Sequence, residues 1–151
     1  MQKIFYSLLF ILVCTNCTTR RFDITQIDFK AGGCFGTCPE FAMTIMNSGT
    51  AHYDAGMFDE RHGQFTTTIR RQQLDSLLAY MTDADLLDLK DNYSTLITDL
   101  TTYTLTVTFA NGRRKTIVDY GQSGPERLKR IYPLLFSLRE TQDWRKTPAN
   151  P

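Results

Sequence analysis

The sequence predicts an α+β fold: an antiparallel sheet of about six strands, made of two hairpins plus flanking strands, with two main helices packed on one face. Three observations carry that expectation. Tyr103, Leu105, Val107 and Phe109 alternate with Thr104, Thr106 and Thr108 and run into Asn111-Gly112, a strong two-residue hairpin signal. Phe41, Met43 and Ile45 alternate with Ala42, Thr44 and Met46 and run into Asn47-Ser48-Gly49. Leu74, Leu77, Leu78 and Met81 recur at helical spacing.

In chain order, the first 17 residues read as a lipoprotein-type signal peptide. Gln2-Lys3 precedes an apolar run from Ile4 to Val13, followed by polar Thr15-Asn16. The run is about half the roughly 20 residues that a spanning helix needs. No alanine precedes Ala31 to make an ordinary small-residue cleavage site, whereas Cys17 stands where the apolar run ends. A cysteine there resembles the lipobox of bacterial lipoproteins, so Cys17 is the expected lipidation site and the start of the mature chain. Residues 18–23 read as a tether, 24–145 as a single domain, and 146–151, with two prolines, as a frayed tail.

Within the domain, Ile27 and Phe29 alternate with Gln26, Asp28 and Lys30 in a first strand that enters Gly32-Gly33. The first hairpin, with Gly49 left-handed in a three-residue loop, pairs Ile45 with Ala51, Met43 with Tyr53 and Phe41 with Ala55. That register puts His52 opposite Thr44, facing away from the core. A charged loop, 56–62, leads to a strand in which Phe65, Thr67 and Ile69 share a side.

After the helix around Leu74–Met81, residues 83–90 suit a short helical turn burying Leu86, Leu87 and Leu89, and 91–99 a polar loop. In the second hairpin a two-residue turn would pair Leu105 with Val118 and Tyr103 with Tyr120 on the buried side, and Thr108 with Lys115 and Thr104 with Asp119 on the other. Ser123 and Glu126 have capping-box spacing for a terminal helix whose stripe is Leu128, Ile131, Leu135 and Leu138, and Pro133 is expected to kink or break it after Tyr132. The expected core is Phe41, Met43, Ile45, Leu74, Leu77, Leu78, Leu105, Val107, Val118, Leu128 and Ile131.

Composition narrows the function classes. Hydrophobic residues make up 42% and charged residues 22%, which is ordinary globular usage and argues against both disorder and a membrane bundle. Loss of Lys3 with the signal leaves 16 basic residues against 16 acidic ones, so no nucleic-acid partner is expected. Cys14 would leave with the signal, and Cys34 and Cys38 remain as a pair in an oxidising envelope, where a disulfide is the default.

Other chemistry finds few candidates. A thiol–disulfide exchanger would keep two residues between its cysteines at a helix start, whereas Cys34 and Cys38 have three between them and precede a strand. A metal centre would need Cys34, Cys38, His52 and His62 to converge, at a spacing that fits no standard zinc module, and no cofactor is expected. Ser48, Ser76, Ser94 and Ser123 sit at turn, helix, loop and cap positions, none in a nucleophile elbow. Asp99, directly before a strand, suits a turn acceptor or a ligand contact. Arg113 and Arg114 could attract an anion or simply solvate a hairpin tip.

Gly33-Cys34-Phe35-Gly36-Thr37-Cys38-Pro39 resembles the hallmark of a bacterial lipoprotein domain family of unknown function, common in Bacteroidetes-type bacteria. The aromatic after Pro39, Gly49 with Tyr53, Thr98-Asp99, the turn at Asn111-Gly112 and Trp144 are similar to the same family's pattern. The resemblance implies a small envelope domain with no assigned activity, and no catalytic residue is carried over.

Together these readings describe a non-enzymatic module, lipid-anchored in the cell envelope and facing the periplasm, that binds or scaffolds another envelope protein or ligand. The rival expectation is an envelope thiol–disulfide or other small enzyme using Cys34 and Cys38 or Asp99.

Overall fold

The computed structural model describes residues 24–148, so the segments expected to be a signal peptide and a tether, and Cys17 with them, lie outside the described residues. Eight strands form a single sheet: β1 (Ile24–Ala31), β2 (Phe41–Met46), β3 (Thr50–Ala55), β4 (Gly63–Thr68), β5 (Asn92–Tyr93), β6 (Thr102–Phe109), β7 (Arg114–Tyr120) and β8 (Arg145–Lys146). Helices α1 (Arg71–Asp83), α2 (Glu126–Lys129) and α3 (Ile131–Thr141) and a 3₁₀ turn at Leu86–Asp88 complete a mixed α+β domain.

The strands lie in the order β5-β7-β6-β1-β2-β3-β4-β8. The expected count of about six is corrected to eight by two-residue strands at both margins, too short to leave an alternation in the sequence. The outermost pair, β5 with β7, is parallel, so the sheet is not wholly antiparallel. β1 lies in the middle, paired antiparallel with β2 and with β6. The chain keeps pairing to Thr147, whose N–H donates to the Gln64 carbonyl at 2.8 Å, past the Lys146 position where the sequence suggests a tail.

One face of the sheet is the core. Ile27, Phe29, Met43, Ile45, Tyr53, Leu105, Val107 and Ile117 point into it and meet Leu74, Leu77 and Met81 of α1, Leu128 of α2, and Ile131, Tyr132, Leu135 and Leu138 of α3, all buried. Leu78, expected in the core, is only partly buried at its margin. The opposite face carries short polar side chains. There Asp28 accepts from Gln26 Nε2 at 2.9 Å and Thr44 Oγ1 at 2.8 Å, the Thr106 and Thr116 hydroxyls meet at 2.9 Å, and His52 is exposed opposite Thr44, as its alternation implies.

The first hairpin has the expected register, Ile45 with Ala51, Met43 with Tyr53 and Phe41 with Ala55. The second does not. Leu105 pairs with Ile117, Tyr103 with Asp119, Thr104 with Val118 and Thr108 with Arg114. The loop has three residues, not two: Phe109 N donates to Arg113 O, Gly112 N donates to Phe109 O, and Gly112 takes the left-handed φ of 80°. The first hairpin closes in the same way, with Gly49 N on Met46 O and a φ of 93° at Gly49. A one-residue slip exchanges the faces of a strand. Ile117 therefore takes the core place expected for Val118, and Asp119 turns inward.

The capping box does not form. Ser123 donates through its N–H, at 2.7 Å, and its hydroxyl, at 3.3 Å, to Asp119 Oδ1, and α2 starts from Pro125 with no side-chain cap. The terminal helix is interrupted at Arg130, before Tyr132 and not after it. Pro133 thus falls in the first turn of α3, where its missing N–H would have had no intrahelical partner.

Candidate functional site

Four connections meet at one end of the sheet, where β1, β3 and β7 finish and β2, β4 and β6 start. They are the segments 32–40, 56–62, 94–101 and 121–125. Large apolar side chains gather there. Phe35 is 88% exposed and Leu96 fully exposed, and Met57, Phe58 and Ile97 are more than half exposed. The exposed large hydrophobics of the described residues comprise these five and Tyr80 on α1.

Covalent and backbone links position the first of these segments. The Cys34 and Cys38 sulfurs are at disulfide distance, with Cα atoms 5.6 Å apart, and Phe35 stands on the small loop they close. Glu40 N donates to Met57 O at 2.8 Å and Gly56 N to Glu40 O at 2.9 Å, which ties the segment to its neighbour 56–62. On its other side Gly32 N donates to Thr102 O at 2.8 Å, next to the segment carrying Leu96 and Ile97.

Beneath Met57 and Phe58 lies a buried polar cluster. The Asp59 side chain has no exposure, and its Oδ2 accepts from the Tyr53 hydroxyl and, at 3.1 Å, from Arg139 Nη2 on α3. Asp59 Oδ1 accepts from Arg61 N at 2.9 Å. Arg139 Nε donates to the Tyr53 oxygen at 2.8 Å, and the guanidinium lies over the Phe41 ring. Trp144 packs against Tyr53 and donates its indole N–H to the Arg139 carbonyl at 3.0 Å, while the Arg61 guanidinium lies above the Tyr53 ring.

The electrostatics of the cluster are internally compensated. Burial alone would raise the Asp59 carboxyl, but hydrogen bonds from Tyr53, from Arg61 N and from Arg139 outweigh it and hold the group below the usual carboxylate range. Burial, joined by the hydrogen bond to Asp59, pushes the Tyr53 phenol up. Burial would lower Arg139, yet its bonds to Tyr53 and Asp59 raise it further. The cluster is an ionised, fully engaged brace with no free acid or base.

A second brace repeats the device beneath 121–125. Asp119, fully buried on β7, accepts at Oδ1 from Ser123 N and from Gly124 N at 3.1 Å, and at Oδ2 from the Tyr132 hydroxyl at 2.8 Å. Burial and this bond raise the Tyr132 phenol. Each brace is thus a carboxylate that takes backbone N–H groups of a connection and a tyrosine hydroxyl of the core. Backbone angles fit the same picture. Of four non-glycine residues with positive φ among the described residues, Phe58 (57°), Asp99 (65°) and Gln122 (52°) sit in these connections.

The residues singled out from sequence are divided between the two ends. Cys34, Cys38 and Asp99 lie at the apolar end, where Asp99 Oδ2 accepts from the Thr98 hydroxyl at 3.2 Å. Arg113 and Arg114 are exposed at the far end of β6 and β7, the full length of a strand away from Asp99. His52 is on the open polar face, and among the described residues no group of three or more His, Cys, Asp or Glu side chains is placed to hold a metal ion.

Asp59 and Arg139 escaped the sequence reading because they lie 80 positions apart, and Asp119 because the two-residue turn placed it on the outer face. Met57-Phe58 and Leu96-Ile97 did leave a signal: two adjacent large apolar residues inside stretches otherwise composed like solvated loops.

The chain is thus a mixed α+β domain with helices on one sheet face and exposed apolar connections at one end. The family model described as a domain of unknown function, DUF6438, matches residues 25–139, and the chain belongs to that family. No curated protein matches it. No helix among the described residues is long and apolar enough to cross a membrane.

Proposed function

We propose that this chain is a non-enzymatic module of the bacterial cell envelope, anchored by a lipid on Cys17 and facing the periplasm, that binds or scaffolds another envelope component. The observation that carries the binding reading is the set Phe35, Met57, Phe58, Leu96 and Ile97, exposed together on connections at one end of the sheet. Water-exposed apolar groups on ordered segments cost free energy that burial against a partner recovers, and loops on a rigid scaffold are the usual place for such contacts.

In this reading Cys34 and Cys38 serve structure, holding the loop that presents Phe35. The rival enzymatic reading draws less support. The pair leads into β2 instead of a helix whose N-terminus would lower a thiol pKa, and Asp99 is an exposed turn carboxylate with its neighbour's hydroxyl as donor. The lipid anchor is supported by the resemblance of Cys17 to a lipobox cysteine and by the hallmark-like residues 33–39.

Cell fractionation tests the anchor: Cys17→Ala is expected to release the chain from membranes, and unchanged retention overturns that part. Thiol labelling tests the role of the pair. Cys34 and Cys38 are expected to resist labelling until a reductant is added, and ready labelling of envelope-derived protein favours the exchanger.

A further inference from the structure

We infer that the apolar end docks on a protein, one that offers apolar recesses to Phe35, Met57, Phe58, Leu96 and Ile97 and approaches from the side away from the anchoring membrane. The direction of approach rests on the lipid-anchor reading above. The tether joins the domain at Ile24, the start of β1, whereas the 32–40 segment leaves from Ala31 at its other end. Seven steps along the strand separate the two by about 23 Å at roughly 3.3 Å per residue. A chain held to a membrane before Ile24 is attached at the end of β1 opposite these side chains, which leaves them free to meet a partner on the far side.

Three features favour a protein over a lipid surface. The first is shape. The Cys34–Cys38 link, the Glu40–Met57 bond and the Asp59–Arg139 pair hold the backbone that carries Phe35, Met57 and Phe58. A bilayer accepts apolar groups in any arrangement, so fixing them gains little there, whereas a protein pocket rewards it by lowering the ordering cost of binding. The second is charge. Apart from the buried Asp59, segments 32–40, 56–62 and 94–101 carry Glu40, Glu60, Arg61 and Asp99, an acidic excess and no cationic girdle for anionic headgroups.

The third is extent. All five residues are more than half exposed and Leu96 wholly so, apolar surface of the kind that fills the centre of a standard interface, to which one partner gives about 800 Å². Their segments are neighbours along the sheet end, in the order 94–101, 32–40, 56–62, joined by the Gly32–Thr102 and Glu40–Met57 bonds. The five residues therefore share one end of the sheet.

Site-specific photo-crosslinking of the full chain in intact cells tests the proposal. A photoreactive residue is placed at Phe35 or Leu96, with Asn111 at the opposite end as control. The expected result is a discrete protein adduct from Phe35 and Leu96 and none from Asn111. Its yield should fall by about tenfold when Met57→Asp is added, as for loss of a central apolar anchor. Leu96→Asp, on a separate connection with a fully exposed side chain, repeats the test with the reactive residue at Phe35, should Met57→Asp impair folding.

Adducts to lipid alone, an adduct of twice the chain's own mass, equal yields from Asn111, or no adduct each overturn the proposal. Repeating the crosslink with Cys17→Ala separates it from the anchor reading. Wild-type membrane retention without a loop adduct defeats the docking inference alone, and a loop adduct with retention unchanged by Cys17→Ala defeats the anchor alone.

Discussion

The backbone N–H of Glu40 donates to the carbonyl of Met57 at 2.8 Å, across two connections that are distant in sequence and side by side at the sheet end. The backbones that carry Phe35 and Met57 are therefore held side by side.

Gly56 is where this contact is most sensitive to volume. A Cβ there would stand 2.9 Å from both Glu40 Cβ and Glu40 O, so backbone must shift to admit it. Gly56→Ala is expected to cost about 1–3 kcal/mol by overpacking. At Gly112 a Cβ meets nothing within 4 Å and the cost is the left-handed backbone alone, about 1 kcal/mol for Gly112→Ala. Denaturant melts of both variants check the ranking, and only Gly56→Ala should alter amide protection around Met57.

The ionised Asp59 makes stability depend on acid. Its folded-state value is lowered, so its contribution is complete above the unfolded carboxyl value of about 4 and is lost as pH falls through the lower folded value. Wild-type melting temperature is expected to drop more steeply than that of Asp59→Asn below about pH 4. At neutral pH Asp59→Ala, which strands Arg139 and the Tyr53 hydroxyl, should cost about 3 kcal/mol. Thermal melts from pH 2 to 7 give both comparisons, with the pH range set by the carboxyl values above.

Removing the second brace leaves Ser123 N–H, Gly124 N–H and the Tyr132 hydroxyl without their acceptor. Asp119→Ala is expected to destabilise by about 3 kcal/mol or more. Hydrogen exchange should show Gly124 among the amides that lose most protection.

The Cys34–Cys38 link closes a five-residue loop, for which chain entropy gives about 2 kcal/mol. Unfolding in urea with and without reductant should differ by that amount. Cys34→Ser with Cys38→Ser should match the reduced wild type.

The hairpin register is open to a direct comparison. Ile117 is buried in the core and Val118 lies on the open face. Ile117→Thr should cost about 2–4 kcal/mol through a lost apolar contact and a buried hydroxyl, whereas Val118→Thr should stay within about 0.5 kcal/mol. A reversed ranking in denaturant melts would restore the two-residue turn.

Alternation made most of the framework legible, because strands buried on one face write their period into the sequence. Phe41-Met43-Ile45 and Leu105-Val107 marked the inner face correctly, and Leu74, Leu77 and Met81 the buried side of α1. The second hairpin shows the limit. Asn111-Gly112 suits a two-residue loop equally well, and only the packing of Ile117 against the helices decides for Ala110-Asn111-Gly112. Ser123 shows another: its spacing to Glu126 fits a cap, but Asp119 competes for the same donors and is held inward by Tyr132. The Asp59 brace was not legible, since nothing local to residues 56–62 announces an arginine on the last helix.

Arg139 is also the last residue of the family match, and the chain does not finish its work there. Trp144 seats on Tyr53, and residues Arg145 to Thr147 pair along β4. A truncation at Arg139 would strip the aromatic cover from the Asp59 brace and leave β4 with unpaired amides and carbonyls, an invitation to self-association. The cooperative folding unit is thus longer than the homology unit, and expression boundaries are better set beyond Thr147.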